Sequence, residues 1–194
     1  MKILLVEPGF PIPPKSKNHR DFLPVGLLKL ASYHRERGDG VKLVRGNQHL
    51  LDFIPDQIKI TSLFTYWSNY VRDSVNFYKG TYPRAKVIVG GIYASLMPEH
   101  CKQSGCDEVF VGVDNRVEKF KPAYDLVEVD YQIVHTSRGC MRKCKFCGTW
   151  RIEPEFISKK SIKDEICSNR VIFYDNNLLA NPYIKVILEE LKNA

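Results

Sequence analysis

No stretch of this sequence approaches the roughly 20 apolar residues that a membrane-spanning helix needs. The short apolar run at the amino terminus, Lys2–Val6, is ended by Glu7 and Pro8, so it is too short for the core of a secretion signal. Internal repeats and low-complexity segments are also lacking. These absences predict a globular, cytoplasmic protein that does not associate with a membrane.

Six cysteines in such a protein favour metal binding or reactivity over a disulfide framework, because cytosolic thiols stay reduced. The composition is ordinary for a folded chain, with 44% hydrophobic and 11% aromatic residues, which excludes general disorder. The net charge is +7, but the basic residues are dispersed. A generic basic surface is therefore favoured over a nucleic-acid footprint, and a basic rim around an anionic cofactor is a further possibility.

The first part of the chain, about residues 1–125, alternates short apolar strands with helices. This alternation predicts an α/β fold with a doubly wound parallel sheet, in which ligands bind beyond the carboxyl ends of the strands. Three features are expected at that edge, namely the loop that starts at Pro8 and runs to about Leu23, the strand end Thr61-Ser62, and Gly90-Gly91. The predicted strands are Lys2–Val6, Val41–Arg45, Ile58–Phe64, Lys86–Val89 and Glu108–Val111, and the predicted helices run from Pro24 to Gly38, from Ser68 to Tyr78 and from Pro98 to Gln103.

A second unit, about residues 126–194, follows a segment without periodicity, Asp114 to Asp130, which reads as a linker. Its predicted strands are Gln132–Thr136 and Val171–Tyr174. Ser161 to Asp164 has the spacing of a capping box, which predicts a helix to about Cys167. A last helix is predicted over Tyr183–Lys192.

Three cysteines in the second unit, Cys140, Cys144 and Cys147, lie within eight residues at C-x3-C-x2-C spacing. A loop this short can wrap three thiolates around a small inorganic core, and Gly139 and Gly148 let the backbone come close. Three thiolates on a [4Fe–4S] cube leave one iron open to a small molecule. The Lys and Arg residues between the cysteines favour thiolates.

Two other interpretations of the cysteines remain. Zinc prefers four ligands, and Cys101, Cys106, Cys167 or His135 is available in the sequence as a fourth. Inert buried cysteines are common, but three of them in a loop rich in Lys and Arg are not typical of a core.

The segment from Ser137 to Trp150, with its preceding strand, resembles the cysteine motif of the radical-SAM superfamily. The resemblance implies that Cys140, Cys144 and Cys147 hold a [4Fe–4S] cluster whose open iron chelates S-adenosylmethionine. It also implies that Phe146, just before the last cysteine, lies near the adenine. The implied reaction is reductive cleavage of S-adenosylmethionine to methionine and a 5′-deoxyadenosyl radical, with an electron donor such as ferredoxin or flavodoxin.

The loop after the next strand, Asp175-Asn176-Asn177, occupies the place where this superfamily contacts the methionine amino group. By that resemblance Asp175 and Asn176 are candidate cofactor contacts, and the Asp175 carboxylate suits a positively charged amine. The commoner version of this loop is glycine-rich with a glutamate, so the sequence departs from it. An ordinary turn that caps the following helix is the alternative.

Residues 1–125 resemble the cobalamin-binding-like domain found ahead of many radical-SAM domains. The matching pieces are Leu23 to Leu28, Thr61 to Phe64, and Gly90-Gly91. The resemblance implies Ser62, Gly90 and Gly91 as cofactor contacts. The Asp-x-His-x-x-Gly sequence that supplies a histidine to cobalt is absent, and His19 lacks that context, so cobalamin would bind without a protein histidine. His34, at helical spacing, is expected to be a partly exposed surface residue.

The predicted function is therefore radical-SAM chemistry on an unknown substrate, with methyl transfer as an option if cobalamin binds. A non-catalytic [4Fe–4S] electron carrier or redox sensor, and a zinc-stabilised binding module, are the alternatives. Only two βα units are predicted after the linker, where a full barrel has eight in about 250 residues. We therefore expect this chain to be a fragment, or a subunit completed by a partner chain.

Overall fold

The computed structural model describes residues 1–11 and 23–192, and it divides after Leu126 into two compact units. Most of the loop predicted from Pro8 to Leu23, including His19, lies outside the described residues. Among the described helices, none has the length and apolar character that crossing a membrane requires. The first unit contains β1 (Lys2–Glu7), α1 (Val25–Glu36), β2 (Gly40–Arg45), β3 (Gln57–Ser62), α2 (Ser68–Thr81), β4 (Lys86–Gly91), α3 (Ile92–Leu96), α4 (Pro98–Lys102) and β5 (Glu108–Val109).

The first unit is an α/β fold with a parallel five-stranded sheet in the order β2-β1-β3-β4-β5. Successive side chains of a strand point to opposite faces. Leu4 and Val6 accordingly enter one core with residues of α2 and α3, whereas Ile3 and Leu5 enter a second core with residues of α1. Helices therefore cover both faces, as the sequence predicted. The chain reverses its direction of strand addition between β1 and β3, which makes that position the topological switch point.

The segment predicted as a linker from Asp114 packs on α1 as far as Leu126. Ala123 is buried in the core that α1 covers. Lys29 forms an ion pair with Glu118 at 3.2 Å, and the Ser32 hydroxyl donates to the Lys121 carbonyl at 2.6 Å. The linker prediction is therefore wrong for this stretch, because a few apolar residues without periodicity suffice to fasten a segment of turns to a helix.

The prediction that His34 is a surface residue is also wrong. Its ring is buried, and Nδ1 lies 2.7 Å from an oxygen of the Asp39 carboxylate. The other Asp39 oxygen accepts a hydrogen bond from the terminal amine of Met1 at 2.7 Å. Burial lowers the pKa of His34 despite this partner, and the terminal amine and His34 hydrogen bonds together lower the pKa of Asp39. The burial of His34 is therefore explained by a structural role, because its partner Asp39 links α1 to the amino terminus.

The carboxyl ends of β3 and β4 meet at Ser62 and Gly91, which are register partners. Ser62 is fully buried, and its hydroxyl donates to the Gly90 carbonyl at 2.8 Å and accepts from the Ala94 amide at 3.1 Å. Gly91 has φ +105°, and a β-carbon there would lie 2.3 Å from the Ser62 carbonyl oxygen. The two strand ends are thus packed against each other so closely that only glycine fits at residue 91.

We expect Gly91→Ala to destabilise the first unit by roughly 2–4 kcal/mol, because it combines a disfavoured φ with a backbone clash. Gly90→Ala is the matched control, since a β-carbon there meets Phe110 at 3.6 Å, which is ordinary contact. Urea denaturation followed by Trp67 fluorescence in a Trp150→Phe background measures the unfolding free energy of this unit. Equal losses for the two alanine variants would contradict the close packing at Gly91.

The second unit contains β6 (Gln132–Val134) and β9 (Val171–Phe173), which form a parallel pair, and β7 (Ser137–Arg138) and β8 (Ile157–Ser158), which form an antiparallel ribbon. Its helices are α5 (Thr149–Ile152) and α6 (Ile184–Lys192). The β7–β8 ribbon was not predicted, because two-residue strands carry no alternation. The core consists of Val134, Ile162 and Ile187, with partly buried apolar residues around them.

The helix predicted from Ser161 to Cys167 is wrong, since only a 3-10 turn over Lys163–Glu165 forms there. The Ser161 hydroxyl accepts a hydrogen bond from the Lys163 amide at 3.2 Å, as a cap does, but no helix continues. Instead, the carboxylate of Glu190 on α6 accepts the Ile162 amide at 2.9 Å. The capping pattern therefore marks a short 3-10 turn here, which the hydrogen bond to Glu190 on α6 stabilises.

Candidate metal and cofactor site

The three-cysteine loop leaves the carboxyl end of β6 and is closed at its base by the β7–β8 ribbon. Ser137 pairs with Ser158 and Arg138 with Ile157, so the chain from Gly139 to Phe156 forms a loop anchored at both ends. The buried Asn181 side chain braces the same base, since its amide donates to the Thr136 and Lys159 carbonyls at 2.9 and 3.2 Å. The cysteines are thus carried by a short loop on a fixed base.

Gly139 is required at the start of this loop by its backbone. Its φ is +72°, and a β-carbon would lie 2.0 Å from the Glu155 carbonyl oxygen. Its amide donates to the Glu153 carboxylate at 2.6 Å, and the same carboxylate forms an ion pair with Arg138 at 2.7 Å. Glycine at residue 139 therefore lets the backbone at the start of the loop pass within contact distance of the backbone at Glu155.

Trp150 fixes the far part of the loop. Its indole N–H donates to the Cys144 carbonyl at 3.1 Å, and the Cys147 amide donates to the same carbonyl at 3.1 Å. Trp150 and Glu153 were not singled out in the sequence, although both lie within six residues of the last cysteine. Nothing in their spacing alone indicates the contacts that they make.

The three thiols are free and partly exposed, whereas Cys101 and Cys106 are buried in the core of the first unit. The pKa of Cys147 is lowered, mainly because the Thr149 hydroxyl, and then the Thr149 backbone, hydrogen-bond to its sulfur. Among the described residues, no three His, Cys, Asp or Glu side chains are grouped as a metal centre. The three sulfurs are therefore neighbours in one loop but do not converge on a common point.

The candidates for a fourth zinc ligand lie elsewhere or have other contacts. The backbone of Cys167 donates to the Gln132 side chain, which places it at the amino end of β6, opposite the cysteine loop. Cys106 contacts the Cys101 carbonyl at 3.9 Å inside the first unit. His135 follows β6 at the end of the strand from which the cysteine loop starts. Its ring packs edge-on against the Tyr174 ring, with the two centroids 6.0 Å apart.

Asp175 lies at the carboxyl end of β9, next to the cysteine loop, and its carboxylate accepts hydrogen bonds from the two residues that lead into that loop. It accepts hydrogen bonds from the backbone amides of Thr136 and Ser137 at 3.1 and 2.6 Å. The hydroxyls of the same two residues donate to it at 2.9 and 2.6 Å. Oδ1 accepts three of these bonds and Oδ2 accepts one, so Asp175 joins two strand ends while Oδ2 keeps an acceptor position. The contact with a ligand amine that the sequence predicts stays a prediction.

Asn176, the next residue, is exposed and lies against the cysteine loop. Its amide oxygen accepts a hydrogen bond from the Thr149 hydroxyl at 3.3 Å, and that hydroxyl is 3.3 Å from the sulfur of Cys147. The structure therefore brings together Asn176 and Cys147, two of the predicted site residues, through Thr149. Thr149 was missed in the sequence, where its only signal is its place two residues after the last cysteine.

Phe146 is 93% exposed, so no core contact explains this aromatic side chain. The ring therefore does not pack against the rest of the loop. A fully exposed phenylalanine beside three partly exposed thiols is available to a planar ligand group.

In the first unit, the predicted cofactor contacts at the sheet edge have structural roles. The Ser62 hydroxyl is satisfied by Gly90 and Ala94, and Gly91 packs on Ser62. These residues offer backbone at the edge but no free side-chain group. The more exposed feature there is a group of aromatic side chains that the sequence analysis did not single out, carried by Phe10, Phe64, Tyr66, Trp67 and Tyr70.

Comparisons with known proteins find a likeness only among solved structures. No family model matches the chain, and no curated protein matches it. A solved structure described as a novel cobalamin-binding protein from Desulfitobacterium hafniense DCB-2 is 18% identical, with a TM-score of 0.41. The match covers 66% of this chain and 59% of that protein, so the chain spans less than two thirds of its length. At this TM-score the likeness carries no argument about what this chain binds.

Proposed function

We propose that the second unit binds a [4Fe–4S] cluster through Cys140, Cys144 and Cys147 and uses it for reductive cleavage of S-adenosylmethionine. The observation that carries the proposal is the loop itself, which presents three free, partly exposed thiols on a base fixed at the carboxyl ends of two parallel strands. Ligand sites of parallel sheets lie at that end.

The donor set fits such a cluster. Iron–sulfur clusters take thiolate ligands, and these three thiols are neither paired as disulfides nor enclosed in a core. The exposed cations Arg142, Lys143 and Lys145, which lie between the cysteines, offset the negative charge of a thiolate-bound cluster. Binding requires the segment between Gly139 and Gly148 to draw the three sulfurs together, while the β7–β8 ribbon holds its ends.

This loop suits a zinc ion less well than an iron–sulfur cluster. A structural zinc site is closed by a fourth protein ligand. Cys167 lies at the far end of β6, and Cys101 and Cys106 are in the core of the other unit. His135 is at the loop end of β6, but its ring packs edge-on against Tyr174. A cluster that leaves one iron for a small molecule needs only the three thiolates that the loop supplies.

When bound, a cluster of this kind supplies one electron to S-adenosylmethionine. The residues of this chain position the reactants. Phe146 offers a ring face to the adenine, and the exposed amide of Asn176, at the edge of the loop, offers a hydrogen-bonding group to the methionine part. Asp175 acts as a positioning residue, since it fixes the ends of β6 and β9 from which both loops start.

No step of this proposal uses cobalamin. The Ser62 hydroxyl is engaged by Gly90 and Ala94, so only the backbone of these strand ends is available to a ligand there. The proposal also includes an electron donor such as ferredoxin or flavodoxin, an unknown substrate, and a partner chain that covers the free edge of the β6–β9 pair.

Binding of S-adenosylmethionine tests the proposal. We expect anaerobically reconstituted protein to retain S-adenosylmethionine in equilibrium dialysis, and cluster-free protein to lose at least about tenfold in affinity, since cluster and ligand bind as a unit. Asn176→Ala should weaken retention, whereas Asn169→Ala, an exposed asparagine at the opposite end of β9, should not. Equal retention with and without the cluster would contradict the proposal, and a cluster without retention would favour an electron carrier or redox sensor.

A further inference from the structure

A lysine stands in the middle of the first unit's sheet, on the face that α1 packs against. The row of register partners that crosses the sheet there consists of Leu43, Leu5, Lys59, Ile88 and Glu108. Register partners of parallel strands point to the same side of the sheet. The two leucines belong to the core under α1. Lys59 therefore lies directly beside that apolar core, on the central strand β3.

The amine of Lys59 has no counterion of its own. Among the described residues, no carboxylate or carbonyl oxygen lies within hydrogen-bonding distance of it. Two carboxylates are near but engaged, since Asp114 accepts two hydrogen bonds from Arg116 at 2.8 and 2.7 Å, and Glu108 pairs with Lys86 at 2.6 Å. Burial lowers the pKa of Lys59, and the charge of Arg116 lowers it further, whereas Asp114 and Glu108 oppose this effect. A partly buried ammonium without a hydrogen-bonded anion is unfavourable.

A second polar side chain shares this face of β3. Gln57 lies two residues before Lys59 and is also partly buried, and its side-chain amide has no hydrogen bond to the described residues. His34 on α1 interacts electrostatically with Lys59 too, but a histidine supplies no negative charge. The three cations and two carboxylates named around Lys59 leave one positive charge in excess. An unpaired amine and an unpaired amide thus stand side by side where one negative charge is missing.

We propose that Lys59 and Gln57 bind the carboxylate of a small organic acid. The carboxylate would accept hydrogen bonds from the amine and the amide, which gives both side chains the partner that they lack. Ile88, partly buried beside Lys59, offers an apolar contact to the organic part of the ligand. A dianion such as phosphate fits less well, because it exceeds the single positive charge and would be repelled by Asp114 and Glu108.

This site uses residues of the first unit alone and does not depend on the cysteine loop. It lies on the face of the sheet, three residues before the end of β3 at Ser62. A failure to bind a carboxylate here would leave the proposed iron–sulfur cluster untouched, and loss of the cluster would leave this site in place.

Competitive acetylation of lysines tests the site in the full chain. A limiting amount of an N-hydroxysuccinimide ester labels amines according to their unprotonated fraction, and peptide mass spectrometry compares Lys59 with the exposed Lys42 of β2. A bound carboxylate stabilises the ammonium form. We therefore expect lactate to lower the labelling of Lys59 saturably, by about fivefold or more, and to leave Lys42 unaltered. Sodium chloride at the same ionic strength should not reproduce the effect.

Two variants should change lactate binding in opposite directions. Asp114→Asn removes a negative charge near the site, so we expect lactate to bind about threefold more tightly. Arg116→Gln frees the Asp114 carboxylate to pair with Lys59, so we expect binding to weaken about threefold. Labelling of Lys59 that lactate leaves unchanged or that chloride lowers equally, or variants that shift the same way, would overturn the proposal. Stronger protection by phosphate than by lactate would overturn the assignment to a carboxylate.

Discussion

Asp175→Asn is expected to destabilise the second unit by about 2–4 kcal/mol, although the two side chains have nearly the same shape. The carboxylate accepts four hydrogen bonds from Thr136 and Ser137. An asparagine has only one acceptor oxygen, so its amide nitrogen would replace one carboxylate oxygen and face at least the Thr136 amide. A donor of this buried segment just after β6 would then lose its acceptor, and the remaining bonds would lose the charge that strengthens them.

Hydrogen exchange at the amides of Val134 and Phe173 measures this effect within the second unit. Asp164→Asn is the matched control, because Asp164 is exposed on a 3-10 turn and should change exchange very little. We also expect Asp175→Asn to lower the yield of cluster after reconstitution, since the base of the cysteine loop is anchored to the same contacts. Exchange rates unaltered by Asp175→Asn would show that Asp175 does not hold the two strands together.

The sheet of the first unit was predictable because its strands are buried. After an opening lysine, the runs Ile3–Val6 and Val87–Val89 are entirely apolar, as strands covered on both faces are, and Pro8 or Gly90 follows shortly after. The structure itself divides into two compact units after Leu126. The cysteine loop was evident because three ligand-type residues lie next to one another in sequence.

The missed features depend on contacts between residues far apart in sequence. Asp175 reads as a free carboxylate until Thr136 and Ser137, almost forty residues earlier, are placed beside it. His34 reads as an exposed helix residue until the turn after α1 brings Asp39 onto its ring. The β7–β8 ribbon is likewise invisible in a pattern of two-residue strands. Contacts between residues so far apart leave no periodic pattern in the local sequence.

The aromatic cluster was missed for a different reason. Phe64, Tyr66 and Trp67 are adjacent in sequence and look like the start of a helix or the end of a strand. Their meaning depends on Phe10, which reaches them only because β1 and β3 are neighbours in the sheet. Residue spacing predicts the strands, but only the order of the strands in the sheet brings these aromatic rings together.

The central claim is that the cysteine loop, and no other set of thiols in the chain, holds a four-iron cluster. Iron and acid-labile sulfide content after anaerobic reconstitution tests it most directly, in the unchanged protein, in Cys144→Ala and in the control Cys167→Ala. Cys144 is one of the three loop thiols, whereas Cys167 is an exposed cysteine at the amino end of β6. Removal of one of three ligands should be close to all-or-none, since the loop offers no replacement thiol.

We expect about four irons and four sulfides per chain in the unchanged protein and in Cys167→Ala, as a [4Fe–4S] cube requires, and little iron in Cys144→Ala. Stoichiometric zinc without iron in the unchanged protein, or equal iron in Cys144→Ala and the unchanged protein, would contradict the account.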